Sequence, residues 1–422
     1  MHLSVFPSNV SGTIFAPASK SHFIRAATMA MLSAGVSTIR NPSDCDDAKF
    51  MLRIAVQMGA RIDVNDQIMF VKGGLNYAGG TLDCGESALA ARLVIPIAAL
   101  CERKSVVEGY RTLKKREMGP VEEVMKPLGA RCKSTGGYLP VWVEGPLKGG
   151  HIRFDGSQTS QLLSGLLMAL PFAEKDSVLE VQNLKSQPYI DLTLKVLGDF
   201  GIQIHHEGYS VFVVPGAQTA APANIQVDGD WSAGAFLLVA GTIAGDLLIK
   251  GLDVDSLQAD RRVLEALQSA GADVEVSESG MLVRQGKIQP FEFDATHCPD
   301  LFPPLAVLAA SAKGTSRIRG IHRLKNKESR RDIVLQQELG KLGINIILQG
   351  DELIVTGGAI KTGTVNPHGD HRIAMAGALM ALKAAGPVTI VNAGCVSKSW
   401  PAFFTDFQNI GVTVRSGKQM PT

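Results

Sequence analysis

One phrase recurs six times along the 422 residues and limits the kind of fold open to the chain. A helix-like segment ends at a glycine, an alternating apolar stretch follows, and a turn leads into a second alternating stretch. The phrase reads VQMGARIDVNDQIMFVKGG, MKPLGARCKSTGGYLPVWVEG and LGDFGIQIHHEGYSVFVVPG in the first half. It returns as LQSAGADVEVSESGMLVRQG, LGKLGINIILQGDELIVTGG and, truncated, FQNIGVTVRSG in the second. The shared glycines are Gly59, Gly129, Gly201, Gly271, Gly343 and Gly411, about 70 residues apart. A glycine closing a helical pattern is a stop signal, because it adopts positive φ without a side-chain clash. Alternation such as Ile202, Ile204 and then Val211, Val213 suits strands with one buried face. The spacing predicts six self-contained α+β units, not thin solenoid turns.

Between the third and fourth phrases lies PGAQTAAPANIQVDGDWSAG, rich in Pro, Ala and Gly, which reads as a boundary. The sixth unit is cut short, so the first residues of the chain are expected to complete it. That places 1–18 with 227–422 in one domain and 19–226 in the other, and the chain crosses between them twice. Hydrophobic residues at 45% and charged residues at 19% provide for a large core. A net charge of +2 does not by itself point to nucleic acid, so anion binding must come from local clusters. Cys45, Cys84, Cys101, Cys132, Cys298 and Cys395 are scattered without a CxxC, as in reduced cytoplasmic proteins. The start has no signal or transit character, and no apolar run reaches membrane-spanning length. A cytoplasmic location is expected.

The unusual polar residues gather at junctions. PASKSHFIRAA puts Lys20, Ser21 and Arg25 at a helix start, as an anion site or as an ordinary cap with solvated charges. YRTLKKREMGP carries Arg111, Lys114, Lys115 and Arg116, which composition alone explains as a solvated loop. DGSQTSQLLSGLL places Ser157, Gln158, Thr159, Ser160 and Gln161 before an apolar helix, as caps or as neutral donors to an anion. KSQPYID is a similar turn, with Ser186 and Tyr189. In THCPDLFPPLAVLAA, Asp300 is either an N-cap or a carboxylate in a low-dielectric pocket, where a raised pKa would suit proton transfer. HRLKNKESRRDIV sets Arg323, Lys325, Lys327, Arg330 and Arg331 around Glu328. Asp370, His371 and Arg372 open a helix that is otherwise apolar, a pattern solubility does not explain. Lys398 lies in CVSKSWPAFF. Arg and Lys at several helix starts, with rows of Ser and Thr, suit two anionic groups or a polyanion. Walker A, GxGxxG, HExxH and CxxC patterns are missing, which argues against a P-loop nucleotidase, a Rossmann dehydrogenase and a zinc enzyme.

Taken in order, SKS…R, DGSQTSQ, KSQPYIDLTL, PD, KES..R, DHRIAMA and SKSWP make the whole chain resemble the 5-enolpyruvylshikimate-3-phosphate synthase family. The resemblance implies the α+β enolpyruvyl transferase fold: two domains, each of three repeated βαβαββ units, with a cleft between the domains. It implies transfer of the enolpyruvyl group of phosphoenolpyruvate to the 5-hydroxyl of shikimate-3-phosphate, releasing phosphate, on the route to chorismate and the aromatic amino acids. No cofactor and no metal are implied. The implied partners are the two substrates, with no nucleic acid and no membrane, and the protein is expected to be a monomer.

By the same resemblance, Lys20, Ser21, Arg25, Thr159, Ser160, Gln161, Ser186, Asp300 and Lys327 bind shikimate-3-phosphate. Lys20, Ala88, Arg116, Gln161, Arg331, Arg372 and Lys398 line the phosphoenolpyruvate site. Asp300 matches the proton acceptor, Glu328 and His371 are further candidates for proton transfer, and Lys20 completes the catalytic set. The enolpyruvyl transferases acting on UDP-N-acetylglucosamine are the nearest alternative. They carry Lys-Asn where this chain has Lys20-Ser21, and a cysteine in the loop corresponding to 110–120, which has none here. Arg323 stands where many members have Asn, and Lys325 and Asn326 replace an Arg–hydrophobic pair. The largest departure is DCGESALAARL. Members commonly read Gly-Asn-Ser/Ala-Gly-Thr-x-x-Arg there, so Ala88 takes the place of the glycine beside the phosphoenolpyruvate pocket. The added methyl implies poor inhibition by glyphosate, while the role of Glu86 is left open.

Overall fold

A computed structural model describes residues 1–416. Among the described residues the strands form six four-stranded sheets with one shared plan. In the second, Gly80–Asp83 runs parallel to Ser105–Glu108, which is antiparallel to Tyr138–Glu144, which in turn pairs with Arg131–Thr135. A parallel pair needs a crossover, and the helix Ala88–Ala98 supplies it. The short helix Val121–Met125 leads into the outer strand. This is the βαβαββ unit, and it recurs in all six sheets.

The six shared glycines all have positive φ: 111° at Gly59, 90° at Gly129, 79° at Gly201, 73° at Gly271, 88° at Gly343 and 99° at Gly411. The residue after each glycine donates its N–H back to a carbonyl in the last helical turn: Ala60 to Ala55, Ala130 to Met125, Ile202 to Leu197, Ala272 to Leu267, Ile344 to Leu339 and Val412 to Phe407. That is the Schellman closure, and it turns each outer helix into the strand that follows. It also corrects one expectation. Regular pairing in the third unit begins at His205, not at Ile202. The Ile202 N–H is used to end the helix, and that of Gln203 donates to the Gln218 side chain at 2.9 Å, so neither is available to a ladder.

The chain divides into two compact units, Ala18–Asp228 and Met1–Pro17 with the residues from Gly229 onward. The sequence reading drew these limits one or two residues differently. Asn224–Gln226 lies parallel to Val36–Arg40 and supplies the first strand of the first sheet, on the same side in both divisions. At the other end, Leu3–Val5 sits between Val388–Ile390 and Val414–Ser416, so the first residues complete the truncated sixth unit. Val10–Phe15 then runs parallel to Gly245–Lys250 and completes the fourth.

The first helix of each βαβαββ unit is the buried one. Every residue of Ala88–Ala98, Trp231–Ala244 and His371–Ala381 is buried, as expected of helices that are apolar on all sides. Gly165, in Gln161–Ala169, shows how closely two of them approach: a Cβ there would lie 2.3 Å from the Arg92 carbonyl oxygen. No helix among the described residues is long and apolar enough to cross a membrane.

Candidate active site

The candidate residues collect at the starts of helices and in the turns ahead of them. In the unit that runs on from Gly229, the 3-10 turn Pro299–Leu301 carries Asp300 just ahead of the helix Phe302–Ser311. Asp300 does not cap that helix; Leu301 stands at the N-cap position. Its carboxylate instead collects three cations. Lys327 Nζ lies 3.0 Å from Oδ1, Arg331 Nη1 2.6 Å from the same oxygen, and Arg372 Nη2 3.3 Å from Oδ2. Burial pushes the Asp300 carboxyl up, but Arg372, Lys327 and Arg331 together outweigh it and hold it well below the usual carboxylate range. The raised pKa considered from the apolar surroundings is therefore reversed, because those surroundings bring three cations with them.

Arg331 is the hub of the cluster, and its side chain is 0% exposed. Nε and Nη2 form a two-pronged pair with Asp370 at 2.9 and 3.1 Å, and Nη2 also reaches Glu328 at 2.6 Å. Burial lowers its affinity for a proton, but Asp370, Glu328 and Asp300 more than restore it, so Arg331 stays charged. Asp370 also accepts from Ser329 Oγ at 3.1 Å and caps the helix His371–Ala381 through the Arg372 N–H at 3.1 Å. His371 is buried in the first turn of the helix it opens. Lys398 is buried at the end of the 3-10 segment Ala393–Lys398.

A carboxylate absent from the sequence reading lies in the same unit. Asp260 is 1% exposed and accepts a short hydrogen bond from Ser232 Oγ, while its Oδ1 has no hydrogen-bond partner among the described residues. Burial, helped by the negative charge of Asp300, pushes this carboxyl up to about 7. The QAD stretch resembles any exposed turn, so sequence carried no signal for it.

In Ala18–Asp228, Ser19 caps the helix Lys20–Leu32, accepting from the His22 N–H at 3.4 Å. The charges behind this cap are not solvated. Lys20 Nζ pairs with Asp47 at 3.0 Å. Arg25 is 1% exposed, and its guanidinium donates to Thr193 Oγ1 at 2.7 Å, the Ser21 carbonyl at 3.0 Å and Ser164 Oγ at 3.2 Å. Burial lowers its pKa to about 10, which leaves it charged at neutral pH. Asp47, Ser164 and Thr193 had no place in the sequence reading, since one acidic residue in DCDDAKF and two hydroxyls on apolar helices are ordinary.

Around Gln161–Ala169, Ser160 occupies the N-cap position without a side-chain cap bond, and Thr159 Oγ1 accepts from the Gln161 N–H at 3.2 Å. Gln161 Oε1 accepts from Arg92 Nη1 at 2.6 Å. Ser186 is buried and has φ of 57°, a left-handed backbone at the turn before the helix Pro188–Asp199. In the basic loop Arg111, Lys114 and Lys115 are exposed, whereas Arg116 is buried. Ala88 is the buried first residue of its helix, directly after the cap Ser87, which accepts from the Ala90 N–H at 3.3 Å. The structure thus gathers Asp300, Lys327, Glu328, Arg331 and Arg372 into one cluster. It sets Lys20, Ser21 and Arg25 on one helix start, and Thr159, Ser160 and Gln161 on another.

A family model and several known proteins are similar to this chain over nearly its whole length. The family model of EPSP synthase (3-phosphoshikimate 1-carboxyvinyltransferase) matches residues 6–407. A 3-phosphoshikimate 1-carboxyvinyltransferase from Clostridium novyi is 34% identical over 423 residues, covering 97% of each chain. Its counterpart from Aeropyrum pernix is 35% identical, covering 98% of this chain and 96% of the other. Among solved structures, an EPSP synthase from Acinetobacter baumannii superposes with a TM-score of 0.81 at 25% identity, over 99% of this chain and 100% of that one. An enolpyruvyl transferase from Streptomyces tendae, at 19% identity and a TM-score of 0.78, shares the fold.

Proposed function

The chain belongs to the EPSP synthase family, and from that premise we propose that it transfers the enolpyruvyl group of phosphoenolpyruvate to the 5-hydroxyl of shikimate-3-phosphate. The observation that carries this reading is an ionised carboxylate, Asp300, ringed by Lys327, Arg331 and Arg372. In the reaction the 5-hydroxyl oxygen bonds to C2 of phosphoenolpyruvate while C3 takes a proton. The hydroxyl proton goes to a base. Phosphate then leaves C2 and a proton leaves C3, which restores the enol ether. One group must accept a proton from oxygen and another must deliver one to carbon. We assign the first role to Asp300 and leave the second between Glu328 and His371.

The cations give Asp300 a dual character. Alone with three of them it is a weak base. Phosphate and carboxylate groups arriving at Lys327, Arg331 and Arg372 compete for the same positive charge, which raises the basicity of Asp300 when both substrates are present. The cations also hold two anions together against their repulsion. We assign Lys20, Ser21, Arg25, Thr159, Ser160, Gln161, Ser186, Asp300 and Lys327 to shikimate-3-phosphate. To phosphoenolpyruvate we assign Lys20, Ala88, Arg116, Gln161, Arg331, Arg372 and Lys398. In this assignment Ala18–Asp228 is chiefly the shikimate-3-phosphate side, and the other unit is chiefly the phosphoenolpyruvate and catalytic side. A monomeric state and a cytoplasmic location belong to the same proposal.

The test is direct. Purified protein given both substrates should release inorganic phosphate in step with an enolpyruvyl ether of shikimate-3-phosphate. Consumption of UDP-N-acetylglucosamine with no reaction of shikimate-3-phosphate would overturn the reading.

A further inference from the structure

Glu86 stands in the altered stretch DCGESALAARL, a carboxylate next to a proposed anion site. Its partners lie in the basic loop. The carboxylate accepts from the Thr112 backbone N–H at 3.2 Å and from the Thr112 hydroxyl at 2.6 Å, and it lies 3.7 Å from Arg111 Nη1. The backbone on either side adds two further ties: the Gly85 carbonyl accepts from the Tyr110 N–H, and the Cys84 N–H donates to the Glu108 carbonyl, each at 2.9 Å. Phe50 seals this corner, with its ring edge-on to Tyr110 at 5.9 Å between centroids. A Cβ at position 85 would fall 2.4 Å from that ring, and Gly85 has φ of 59°.

The loop needs holding. Arg111 has φ of 48°, a conformation that L-residues adopt when the surroundings impose it. Four cations, Arg111, Lys114, Lys115 and Arg116, crowd into six residues and repel one another. The 3-10 turn Leu113–Lys115 delivers the chain to Arg116, and one residue further the Glu117 carbonyl accepts from Arg92 Nη2. Residues 84–92 therefore grip the loop near both ends. Glu86 is the charged member of that grip, attached at Thr112 and Arg111.

We propose that Glu86 is a positioning residue: its bonds to Thr112 and Arg111 hold the basic loop in the shape that presents Arg116 to the phosphate of phosphoenolpyruvate. The inference rests on the assignment of Arg116 above. Charge-assisted bonds to a backbone N–H and a hydroxyl order a loop more effectively than an exposed ion pair, so Thr112 is the main anchor and Arg111 the lesser. Without the anchor, the ordering of the loop is left to the binding step, which weakens phosphoenolpyruvate binding with little effect on the rate at saturation.

The loop contains trypsin sites after Arg111, Lys114 and Lys115, which permits a readout independent of catalysis. In Glu86→Ala, native-state trypsin should cut in this loop about tenfold faster or more. The same variant should show KM for phosphoenolpyruvate raised about fivefold or more, with kcat and KM for shikimate-3-phosphate within about twofold. Glu86→Gln keeps the acceptor for Thr112 and should fall between wild type and Ala in both measurements. An unchanged cleavage rate in Glu86→Ala would overturn the proposal, and so would faster cleavage with an unchanged KM. If the wild-type protein fails to turn over these substrates, the functional assignment fails, while the cleavage comparison still decides whether Glu86 holds the loop.

Discussion

At the scale of single residues, the central fact is that one carboxylate is shared among several cations. Asp300→Ala should lower turnover about a hundredfold or more while changing the dissociation constant for shikimate-3-phosphate much less. Parallel kinetics and equilibrium titration check this, and an equal loss in both would remove Asp300 from the chemistry. Ala88→Gly removes the methyl that departs from the family pattern. The variant should gain sensitivity to glyphosate by about tenfold or more, with a smaller change in KM for phosphoenolpyruvate, measured by inhibition assays on both forms. Asp260 makes a third prediction. Its native pKa of about 7 lies above the ordinary value near ~3.9, so the folded state binds the extra proton between those limits. The contribution to stability is complete below about pH 4 and is lost as pH rises through about 7. Asp260→Asn, which cannot ionise, should flatten that fall and be the more stable protein at pH 8, as read from denaturant midpoints across pH.

Elements bring those residues into place through close packing. The crossing of Ala88–Ala98 and Gln161–Ala169 depends on Gly165, because a Cβ would meet the Arg92 carbonyl at 2.3 Å and the Leu93 Cα at 3.0 Å. Both atoms are backbone, so a whole helix must shift to make room. Gly165→Ala should cost about 1–3 kcal/mol in chemical denaturation. Activity at a temperature where the variant is folded should fall as well, since Arg92 and Gln161 on these two helices are joined at 2.6 Å. Retained stability and rate would show that the helices part without consequence. The outer helices follow a more local rule. All six end in the same glycine closure, so their boundaries were readable from sequence, whereas the late start of the strand at His205 was not. That start depends on the Gln218 side chain, reached 15 residues further along the chain.

Over the whole molecule, the two units differ in how the chain completes them. Every sheet of Ala18–Asp228 is built from residues within that span, the strand Asn224–Gln226 included. The other unit draws Leu3–Val5 and Val10–Phe15 from the opposite end of the chain. A fragment 18–228 should therefore fold alone with a cooperative thermal transition. A fragment 229–422 should not, because two sheets would each lack a strand and expose unpaired edges. Adding residues 1–17, either as a peptide or through a linker after residue 422, should restore folding. Circular dichroism melts decide this, and a cooperative transition of 229–422 alone would contradict it.

The division between sequence and structure follows from distance along the chain. The number of units, the helix stops and the completion of the sixth unit by the first residues were legible because their causes are local. A glycine closure involves six successive residues, and a truncated repeat is visible as such. The motifs around Lys20, Asp300 and Arg372 were legible as charges placed before apolar helices, and that around Lys327 as a basic cluster about Glu328. Their electrostatic state was not. Arg25 is held by Thr193, 168 positions away, and Asp300 by Lys327 and Arg331, 27 and 31 positions away. Glu86 finds Thr112 across 26 residues. A carboxylate's affinity for protons is set by the sum of burial and neighbouring charge. Burial could be guessed from the apolar run after Asp300, but the three cations that reverse its effect meet only when the chain is folded.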